Sequence, residues 1–501
     1  MNKVKLLNDL LKHTAYIKAE GNENQEVVDI TADSREVGEG SLFICLCGAR
    51  ADGHDFAAAA AEKGASVIVA EKKISVPAHT AVVYVKDTRR AMEDLTPYFF
   101  DYPARKMRIL AVTGTNGKTT STHIEAHILN RAGFKTGVIG TIHMLIGDKE
   151  YPTHNTTPDV VDLEKMLYRM QAEGVTHVCM EVSSHALALG RVEGVEFDNA
   201  AFTNLTEDHL DYHKTMENYA AAKALLFKKV SERGQVKGNK SAHINADADY
   251  SEVMSGAVDR AACRAWTYSI DRPSDLRAEN IRFNANSSEF TLRFEGETYE
   301  VRTNLVGRFN VYNVLTAISA CLSEGVPMDV ILAAVKDFRS VPGRFELVDE
   351  GQPFTVVVDY AHTPDGLENI LKTAEEIRRG RIIVVFGCGG DRDRMKRPIM
   401  GRIGASYADI VIVTSDNPRT EDPDRIVAEV AAGVKEEALK SGASYEVVAD
   451  RRAAIRRAIA LAQPGDIVMI AGKGHETYQI LKDRTIHFDD REEARAAIRG
   501  E

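Results

Sequence analysis

Uninterrupted apolar runs alternate with longer stretches of helical periodicity over most of this chain. Four runs lie in its middle part (ILAVTG, TGVIGT, HVCMEV and NAAFTN) and four near its carboxyl terminus (TVVVDY, RIIVVFG, DIVIVTS and DIVMIAG). Strands that are apolar on both faces are typical of parallel sheets covered by helices, because both faces are then buried. The pattern predicts two α/β units whose ligands bind at the carboxyl ends of their strands.

One stretch departs from this pattern. Residues 281–303, IRFNANSSEFTLRFEGETYEVRT, alternate apolar and polar side chains over short distances. Such alternation predicts antiparallel strands with one solvated face. No function follows from this patch.

Proline and glycine residues mark two candidate domain boundaries. One lies at Pro103, ahead of an apolar run, and the other is the Pro-Gly turn within residues 339–344. We expect three domains, at 1–103, 104–339 and 340–501. The length of 501 residues agrees with this number at roughly 150 residues per domain.

The composition limits the classes of partner. Lys and Arg total 63 and Asp and Glu total 74, which gives a net charge of −11. An acidic chain is a poor candidate for binding nucleic acid over a broad surface, so anionic ligands require local basic residues and backbone amides. No apolar run reaches the roughly 18 residues of a membrane span, and no secretory signal is evident. We expect a cytoplasmic monomer with reduced cysteines and neither a nucleic-acid nor a membrane partner.

A glycine-rich loop, TGTNGKTT at residues 113–120, follows an apolar run and precedes a helical stretch. Backbone amides of such a loop bind phosphate together with the helix amino terminus. Lys118 would reach the terminal phosphates of a nucleotide, and the Thr119 hydroxyl would hold Mg²⁺. Val112 stands where the strict GxxxxGK[ST] pattern has glycine, and Gly114 supplies a shorter turn. The predicted nucleotide-binding residues are Gly114, Thr115, Asn116, Gly117, Lys118, Thr119 and Thr120.

Polar residues follow two further apolar runs. Glu181 lies at the end of the run HVCMEV, and TNLTEDHLDYH, residues 203–213, follows the run NAAF. A carboxylate at a strand end beside a phosphate loop commonly holds Mg²⁺ or its water. A dense polar segment directly after an apolar strand is costly unless it serves a site.

The order of these motifs resembles that of the Mur ligase family, whose relatives include the folylpolyglutamate synthases. The matching motifs are TGTNGKTT, EVSSHAL, DHLDYH, AKALLF, GRFNVYN, DYAHTPD, DNPR and GKGHE. The resemblance spans nearly the whole chain and implies an α/β fold of three domains. These are an amino-terminal domain for a UDP-sugar, a central parallel sheet with the phosphate loop, and a carboxyl-terminal Rossmann-like domain. The implied activity is ATP-dependent formation of an amide bond.

The resemblance also implies the residues around ATP and Mg²⁺. It makes Lys118, Glu181, His209 and Lys223 the catalytic residues, with Lys223 carboxylated by CO₂. A carbamate in place of an ammonium would bring oxygen ligands and negative charge to the metal site. The implied metal ligands are Thr119, Glu181, His209 and Lys223, and the implied ATP contacts outside the loop are Asn310, Asn313, Arg344 and Asp359.

A UDP-N-acetylmuramoyl peptide is the implied large substrate. The guanidinium fork of Arg191 suits a substrate carboxylate. The implied contacts are Asn155, Thr156, Thr157, Ser183 and Arg191 in the middle of the chain, and Ser34, Ala49, Arg50 and Ala51 near its amino terminus.

The motif DNPR, residues 416–419, bears on the amino acid that is added. Within the family it is the pattern of members that add meso-diaminopimelate, whereas lysine-adding members lack the arginine. Diaminopimelate resembles lysine with an added carboxylate, and Arg419 offers a planar fork for that group. The implied contacts are Arg392, Asp416, Asn417, Pro418, Arg419, Gly472 and Glu476.

The implied reaction joins meso-diaminopimelate to the D-glutamate γ-carboxylate of UDP-N-acetylmuramoyl-L-alanyl-D-glutamate through an acyl phosphate, in peptidoglycan precursor synthesis. Three alternatives remain: the same ligase with L-lysine, a folylpolyglutamate-type ligase, and a nucleotide-switch binding protein without an amino-acid substrate. Arg419 argues against the first, and the implied uridine pocket argues against the second.

Overall fold

The structure, a computed structural model, describes residues 3–48, 51–147, 149–153, 155–284 and 286–501. It contains three main sheets, with five, eleven and six strands in chain order. One of these sheets lies in each of the expected segments 1–103, 104–339 and 340–501. The boundaries between the segments stay a prediction.

The amino-terminal part folds around the five-stranded sheet. Its elements are β1 (Lys5–Leu6), α1 (Leu7–Leu10), β2 (Lys18–Glu20), β3 (Glu26–Val27), β4 (Asp29–Thr31), β5 (Ser41–Ile44), α2 (Ala57–Glu62), β6 (Val67–Ala70), β7 (Ala81–Tyr84) and α3 (Thr88–Phe99). The strand order is β2-β7-β6-β5-β4. Strands β4 to β7 are parallel, and β2 is antiparallel at the edge.

The central part is built on the eleven-stranded sheet. Its elements are β8 (Arg108–Thr113), α4 (Lys118–Arg131), β9 (Thr136–Ile139), β10 (Met144–Ile146), β11 (Lys149–Tyr151), α5 (Val160–Ala172), β12 (His177–Glu181), α6 (Ser184–Ala188), β13 (Asn199–Phe202), α7 (Leu210–His213), α8 (Met216–Val230), β14 (Ser241–Asn245), α9 (Ser251–Gly256), β15 (Arg264–Ser269), β16 (Leu276–Asn284), β17 (Ser287–Phe294), β18 (Glu297–Thr303), α10 (Arg308–Ser323) and α11 (Met328–Asp337). The strand order is β11-β10-β9-β12-β8-β13-β14-β15-β16-β17-β18.

The antiparallel patch expected at residues 281–303 is confirmed, because β16, β17 and β18 pair antiparallel. These strands extend the central sheet at one edge, next to β15. A second antiparallel pair, β10 and β11, closes the other edge. Between them, β9, β12, β8, β13, β14 and β15 are parallel, as the apolar runs of this region predict.

The carboxyl-terminal part carries the six-stranded sheet. Its elements are β19 (Glu346–Leu347), β20 (Thr355–Asp359), α12 (Pro364–Ile377), β21 (Ile382–Phe386), α13 (Lys396–Tyr407), β22 (Ile410–Val413), α14 (Pro423–Ser441), β23 (Ser444–Val447), α15 (Arg451–Leu461), β24 (Ile467–Ala471), β25 (Tyr478–Ile480), β26 (Thr485–His487) and α16 (Asp490–Arg499). The order is β19-β20-β24-β21-β22-β23, parallel except for β19.

The central sheet separates two hydrophobic cores. Ile109 and Ala111 of β8 belong to one core, whereas Leu110 between them belongs to the other. This division follows from the alternation of side chains along a strand, and it explains why the run is apolar without interruption.

The expectations about membrane spans and about cysteines can be compared with the structure. None of the helices in the described ranges combines the length and the apolar character needed to cross a lipid bilayer. All six cysteines carry free thiols, and all except Cys47 are buried.

Candidate active site

The predicted phosphate loop connects β8 to α4. Gly114 and Gly117 both have positive φ angles, 154° and 86°. A Cβ atom on Gly114 would collide with the Thr203 hydroxyl, and one on Gly117 would collide with the Asn313 amide oxygen. The loop therefore requires glycine at both positions, and it lies directly against two of the motifs that follow later in the chain.

Two lysines converge on this loop. The Nζ atoms of Lys118 and Lys223 donate to the Gly114 carbonyl oxygen at 2.9 and 2.8 Å, and Lys118 also donates to the Thr115 carbonyl at 2.8 Å. Burial, reinforced by the charge of Lys118, holds the pKa of Lys223 well below its usual range. Burial also lowers the pKa of Lys118. The Nζ atoms of both lysines donate to backbone carbonyls, and neither has a carboxylate oxygen within 4.0 Å in the described part of the chain, so a positive charge here would favour an anionic ligand.

Glu181 ends strand β12 beside the loop. Its carboxylate is almost fully buried and accepts hydrogen bonds from the backbone amide and the hydroxyl of Thr141, at 2.8 and 3.1 Å. A Cβ on Gly140 would collide with this carboxylate, so the approach of the two strand ends again depends on a glycine. The predicted strand-end carboxylate is thus held in one orientation.

His209 lies in the loop before α7 with a positive φ of 55°. Its side chain is 46% exposed, and its ring is centred 4.7 Å from that of His185. Partial burial lowers the pKa of His209, against the opposing charge of Asp208. A neutral imidazole at this position can act as a metal ligand.

The carboxyl-terminal part contacts the loop. Arg344 donates to the Thr119 hydroxyl at 3.4 Å, and its guanidinium lies 4.5 Å from the centre of the Tyr360 ring. Asp359 accepts hydrogen bonds from the amides of Phe345 and Ala361, and burial raises its pKa. These residues, expected over ATP, lie at the junction of the two sheets.

Asp365 is a residue of this junction that the sequence analysis missed. Its Oδ2 atom accepts hydrogen bonds from the Asn116 amide at 2.6 Å and the Thr206 hydroxyl at 2.9 Å. It thereby connects α12 to the phosphate loop and to the segment after β13. The available signal was its place at the end of the motif DYAHTPD, directly after the predicted strand.

The two asparagines expected at adenine are buried near the start of α10. Asn313 donates to the Asn310 side chain at 3.0 Å, and Asn310 donates to the Val306 carbonyl at 2.9 Å. The Asn313 amide oxygen thus faces Gly117 of the loop.

The residues of the central part that are expected to contact the peptide substrate, apart from Asn155, are connected to one another by hydrogen bonds. The Thr157 hydroxyl donates to the Glu181 carbonyl at 2.9 Å and accepts from the Ser183 amide at 3.0 Å. Arg191 donates to the Thr157 carbonyl at 3.3 Å, while its buried Nε has no partner among the described residues. Thr156 hydrogen-bonds the Thr141 hydroxyl at 3.1 Å, and Asn155 is exposed. A free guanidinium donor at this point suits a substrate carboxylate.

The amino-terminal residues are only partly described, because Ala49 and Arg50 lie outside the described residues. Ala51 is exposed, and its carbonyl accepts a hydrogen bond from the Gly48 amide at 3.0 Å. The backbone carbonyl of Ser34 accepts from Lys63 at 2.8 Å. Neither contact tests the expected uridine pocket.

Cys47, Asp52 and His54 beside this pocket are spaced closely enough to hold a metal ion. The His54 Nε2 atom, however, accepts a hydrogen bond from the Glu71 amide at 2.9 Å, which leaves the proton on Nδ1, 2.6 Å from Asp52. Lys72 also pairs with Asp52 at 2.6 Å. The cluster therefore fixes the loop and does not fit a cation.

The loops predicted to bind the added amino acid meet at the carboxyl ends of β21, β22 and β24. Asn417 donates to Glu476 at 2.8 Å, and Arg419 donates to the Gly390 carbonyl at 2.8 Å. A Cβ on Gly472 would crowd the Asp416 carboxylate. Arg392 is exposed. The structure therefore gathers the residues of three separate motifs at one edge of the sheet.

Comparisons with known proteins agree with this arrangement. Three family models match: "Mur ligase family, catalytic domain" at residues 26–99, "Mur ligase middle domain" at 112–321 and "Mur ligase, glutamate ligase domain" at 343–474. The chain is 50% identical over 478 residues to a Bacillus cereus protein, covering 95% of each chain, and 49% identical over 496 residues to one from Geobacillus kaustophilus, covering 99% of each.

Both relatives are named UDP-N-acetylmuramoyl-L-alanyl-D-glutamate–2,6-diaminopimelate ligase. A solved structure with the same name superposes with a TM-score of 0.71 at 33% identity, covering 100% of this chain and 99% of that one. The likeness therefore includes all three sheets.

Proposed function

Since the chain belongs to the Mur ligase family, we propose that it adds meso-diaminopimelate to UDP-N-acetylmuramoyl-L-alanyl-D-glutamate, with ATP as the energy source. The observation that carries this proposal is near-half identity over almost the full length to ligases named for that reaction. The charged residues support it, since Lys118 lies at the phosphate loop and the loops predicted to bind the amino acid carry Arg419 and Glu476.

The reaction proceeds in two steps. The γ-phosphoryl group of ATP passes to the D-glutamate γ-carboxylate, which gives ADP and an acyl phosphate. The amine of diaminopimelate then attacks the acyl carbon, and the tetrahedral intermediate expels phosphate and loses a proton to form the amide. Lys118 neutralises charge on the phosphates in both steps, because its ammonium lies at the phosphate loop.

The donor set around the loop fits Mg²⁺ only if Lys223 is modified. The Nζ atoms of Lys118 and Lys223 both donate to one carbonyl oxygen and offer no oxygen ligand to a cation, whereas a carbamate on Lys223 would offer oxygen ligands. The lowered pKa of Lys223 favours the neutral amine, which is the form that can react with CO₂. Thr119, Glu181, His209 and the carbamate would then hold Mg²⁺, which supplies charge stabilisation for phosphoryl transfer.

Arg191 and Arg419 serve the two carboxylates that must be distinguished. Arg191 would pair with the peptide substrate through its unpartnered donor. Arg419 would pair with the distal carboxylate of diaminopimelate, and Glu476 with the distal ammonium. The amine that reacts stays free. Such a monomeric enzyme of the cytoplasm would have one UDP-sugar domain, one ATP domain and one amino-acid domain.

ADP release in the presence of UDP-N-acetylmuramoyl-L-alanyl-D-glutamate tests the proposal. Release with meso-diaminopimelate but little with L-lysine is the expected result. Arg419→Ala should raise the KM for diaminopimelate by the equivalent of about 2–5 kcal/mol, since the distal carboxylate loses its partner. Preference for L-lysine would contradict the assigned amino acid, and no release with either would contradict the ligase itself.

A further inference from the structure

A buried lysine connects the two motifs of the amino-acid site. Lys473 follows β24 in the motif GKGHE, and its side chain is fully buried. Its Nζ atom donates to Asn417 Oδ1 at 3.2 Å and to Glu476 Oε2 at 3.0 Å. Asn417 Nδ2 donates to the same Oε2 at 2.8 Å. The three side chains form a closed ring of hydrogen bonds.

Lys473 fixes the orientation of the Asn417 amide. The oxygen of this amide faces the Lys473 ammonium and also accepts from the Ile480 backbone amide at 2.9 Å. If the amide were flipped, its NH₂ group would face an ammonium and a backbone N–H, and both hydrogen bonds that its oxygen accepts would be lost. The amide group that reaches Glu476 is therefore selected by the ammonium behind it.

Lys473 also contributes to a difference in hydrogen bonding between the two Glu476 oxygens. Oε2 receives both donors, whereas Oε1 has no hydrogen-bond donor in the part of the chain that the structure describes. The carboxylate is largely buried, at 13% exposure, so without Lys473 it would have no ion-pair partner within 4.0 Å among the described residues when no substrate is present. The ring leaves one oxygen, in a fixed position, for an incoming ammonium.

We propose that Lys473 is a positioning residue for diaminopimelate: it holds Glu476 and Asn417 so that Glu476 Oε1 points at the distal ammonium of the substrate. The proposal rests on the function proposed above. Lys473 does not touch the reacting atoms, so its loss should alter substrate binding and leave the chemical step in place.

The test is steady-state kinetics of Lys473→Met with each of the three substrates varied in turn. The KM for diaminopimelate should rise about 10- to 100-fold, as expected for loss of a hydrogen bond to a charged group. The KM values for ATP and the UDP-linked substrate, and kcat, should change less than about threefold. Lys435→Met, at an exposed lysine of α14, is the matched control and should leave all values unchanged.

A double variant separates positioning from general damage. Adding Lys473→Met to Glu476→Gln should raise the KM for diaminopimelate no further than Glu476→Gln alone, because both act through one carboxylate. Lys473→Gln, which keeps a donor of shorter reach, carries the same test if Lys473→Met does not fold in a thermal-unfolding assay. Equal increases in all three KM values, or additive effects in the double variant, would overturn the proposal. Failure of the unmodified enzyme to use diaminopimelate would instead overturn the proposed function.

Discussion

Buried charge is treated differently in the central and the carboxyl-terminal parts of the molecule. In the central part, Glu125, Glu164 and Lys223 are at most 1% exposed, and none has an ion-pair partner within the described residues. In the carboxyl-terminal part the buried cations are paired: Arg397 with Glu421 and Glu429, Arg451 with Asp490, and Lys473 with Glu476. The contrast holds for these six groups and not for every buried charge, since Asp198 of the central part pairs with Arg108 and Lys237. Conversely, Asp359 of the carboxyl-terminal part accepts backbone amides and has no ion pair among the described residues.

The consequence is a difference in charge state. Burial raises the pKa of Glu164 to about 8 and that of Glu125 well above its usual range, and it lowers that of Lys223. The pKa values of these isolated buried groups therefore shift toward the neutral form, because an unpaired ion in a poor solvent is costly. In the pairs of Arg397 and Arg451, burial lowers the pKa of the arginine, but the carboxylate partners outweigh it and raise the pKa above its usual value. A zwitterionic amino acid needs such fixed charges, whereas a lysine that reacts with CO₂ must first lose its proton.

Breaking a pair in the carboxyl-terminal part should have the largest effect. Arg451→Met leaves the Asp490 carboxylate fully buried without its cation, so the free energy of unfolding should fall by about 3–5 kcal/mol. Urea unfolding measures this change. The neighbouring Arg452 pairs with Glu493 at the surface, and Arg452→Met should cost less than about 1 kcal/mol. Equal losses in the two variants would remove the distinction between buried and exposed pairs.

Glu164 provides a test of the unpaired groups through pH. Its pKa is about 8 in the folded protein and 4.5 as the reference value, so between these values the folded state binds more protons than the unfolded chain. The contribution of Glu164 to the free energy of unfolding should therefore decrease as pH rises, by about 1.4 kcal/mol per pH unit, and level off above pH 8.

In Glu164→Met this contribution should disappear, so the slope measured by urea unfolding at pH 6, 7 and 8 should differ from that of the unmodified protein by about 1.4 kcal/mol per pH unit. Glu164→Gln, which keeps the side-chain shape, should remove it as well. The charge of Arg105 opposes the effect of burial on the pKa of Glu164 and offsets it only in part. A slope that both variants retain would show that Glu164 is ionised throughout.

The smallest expected effect concerns Asp365, which joins the two regions. Asp365→Asn removes the charge that accepts from Asn116 and Thr206, at about 1 kcal/mol for such a bond, so the KM for ATP should rise about fivefold. Small-angle scattering should detect a more open arrangement without ligands. Glu375→Gln, at an exposed position of the same helix, is the control. An unchanged KM and an unchanged scattering profile would mean that the contact does not couple the regions.

Much of the fold could be predicted from local pattern. The run RIIVVFG became β21 at Ile382–Phe386, buried at every position, because a strand covered on both faces must be apolar throughout. The alternation of residues 281–303 predicted antiparallel strands for the opposite reason. The short strands β10 and β11, three residues each, carry too little pattern to be recognised.

In the candidate site, too, some residues could be recognised from local sequence and others could not. The phosphate loop could be recognised from adjacent residues, because the spacing of glycine, lysine and threonine is what lets such a loop bind phosphate and Mg²⁺. Lys223 looks like any helix lysine in the sequence, and the role predicted for it came only from the family resemblance. The hydrogen bond of Asp365 with Asn116 joins residues 249 positions apart in the sequence, and that of Lys473 with Asn417 joins residues 56 positions apart. Neither contact could be predicted from the spacing of residues along the chain.

The sequence by itself determined which residues can form strands, where the phosphate loop lies and which family the motifs resemble, because these depend on neighbours along the chain. Only the tertiary structure decided which lysines are buried, which carboxylates pair with a cation and which loops lie together at one sheet edge. Burial and pairing depend on distance in space, and that distance sets the free energy of every charge in the site.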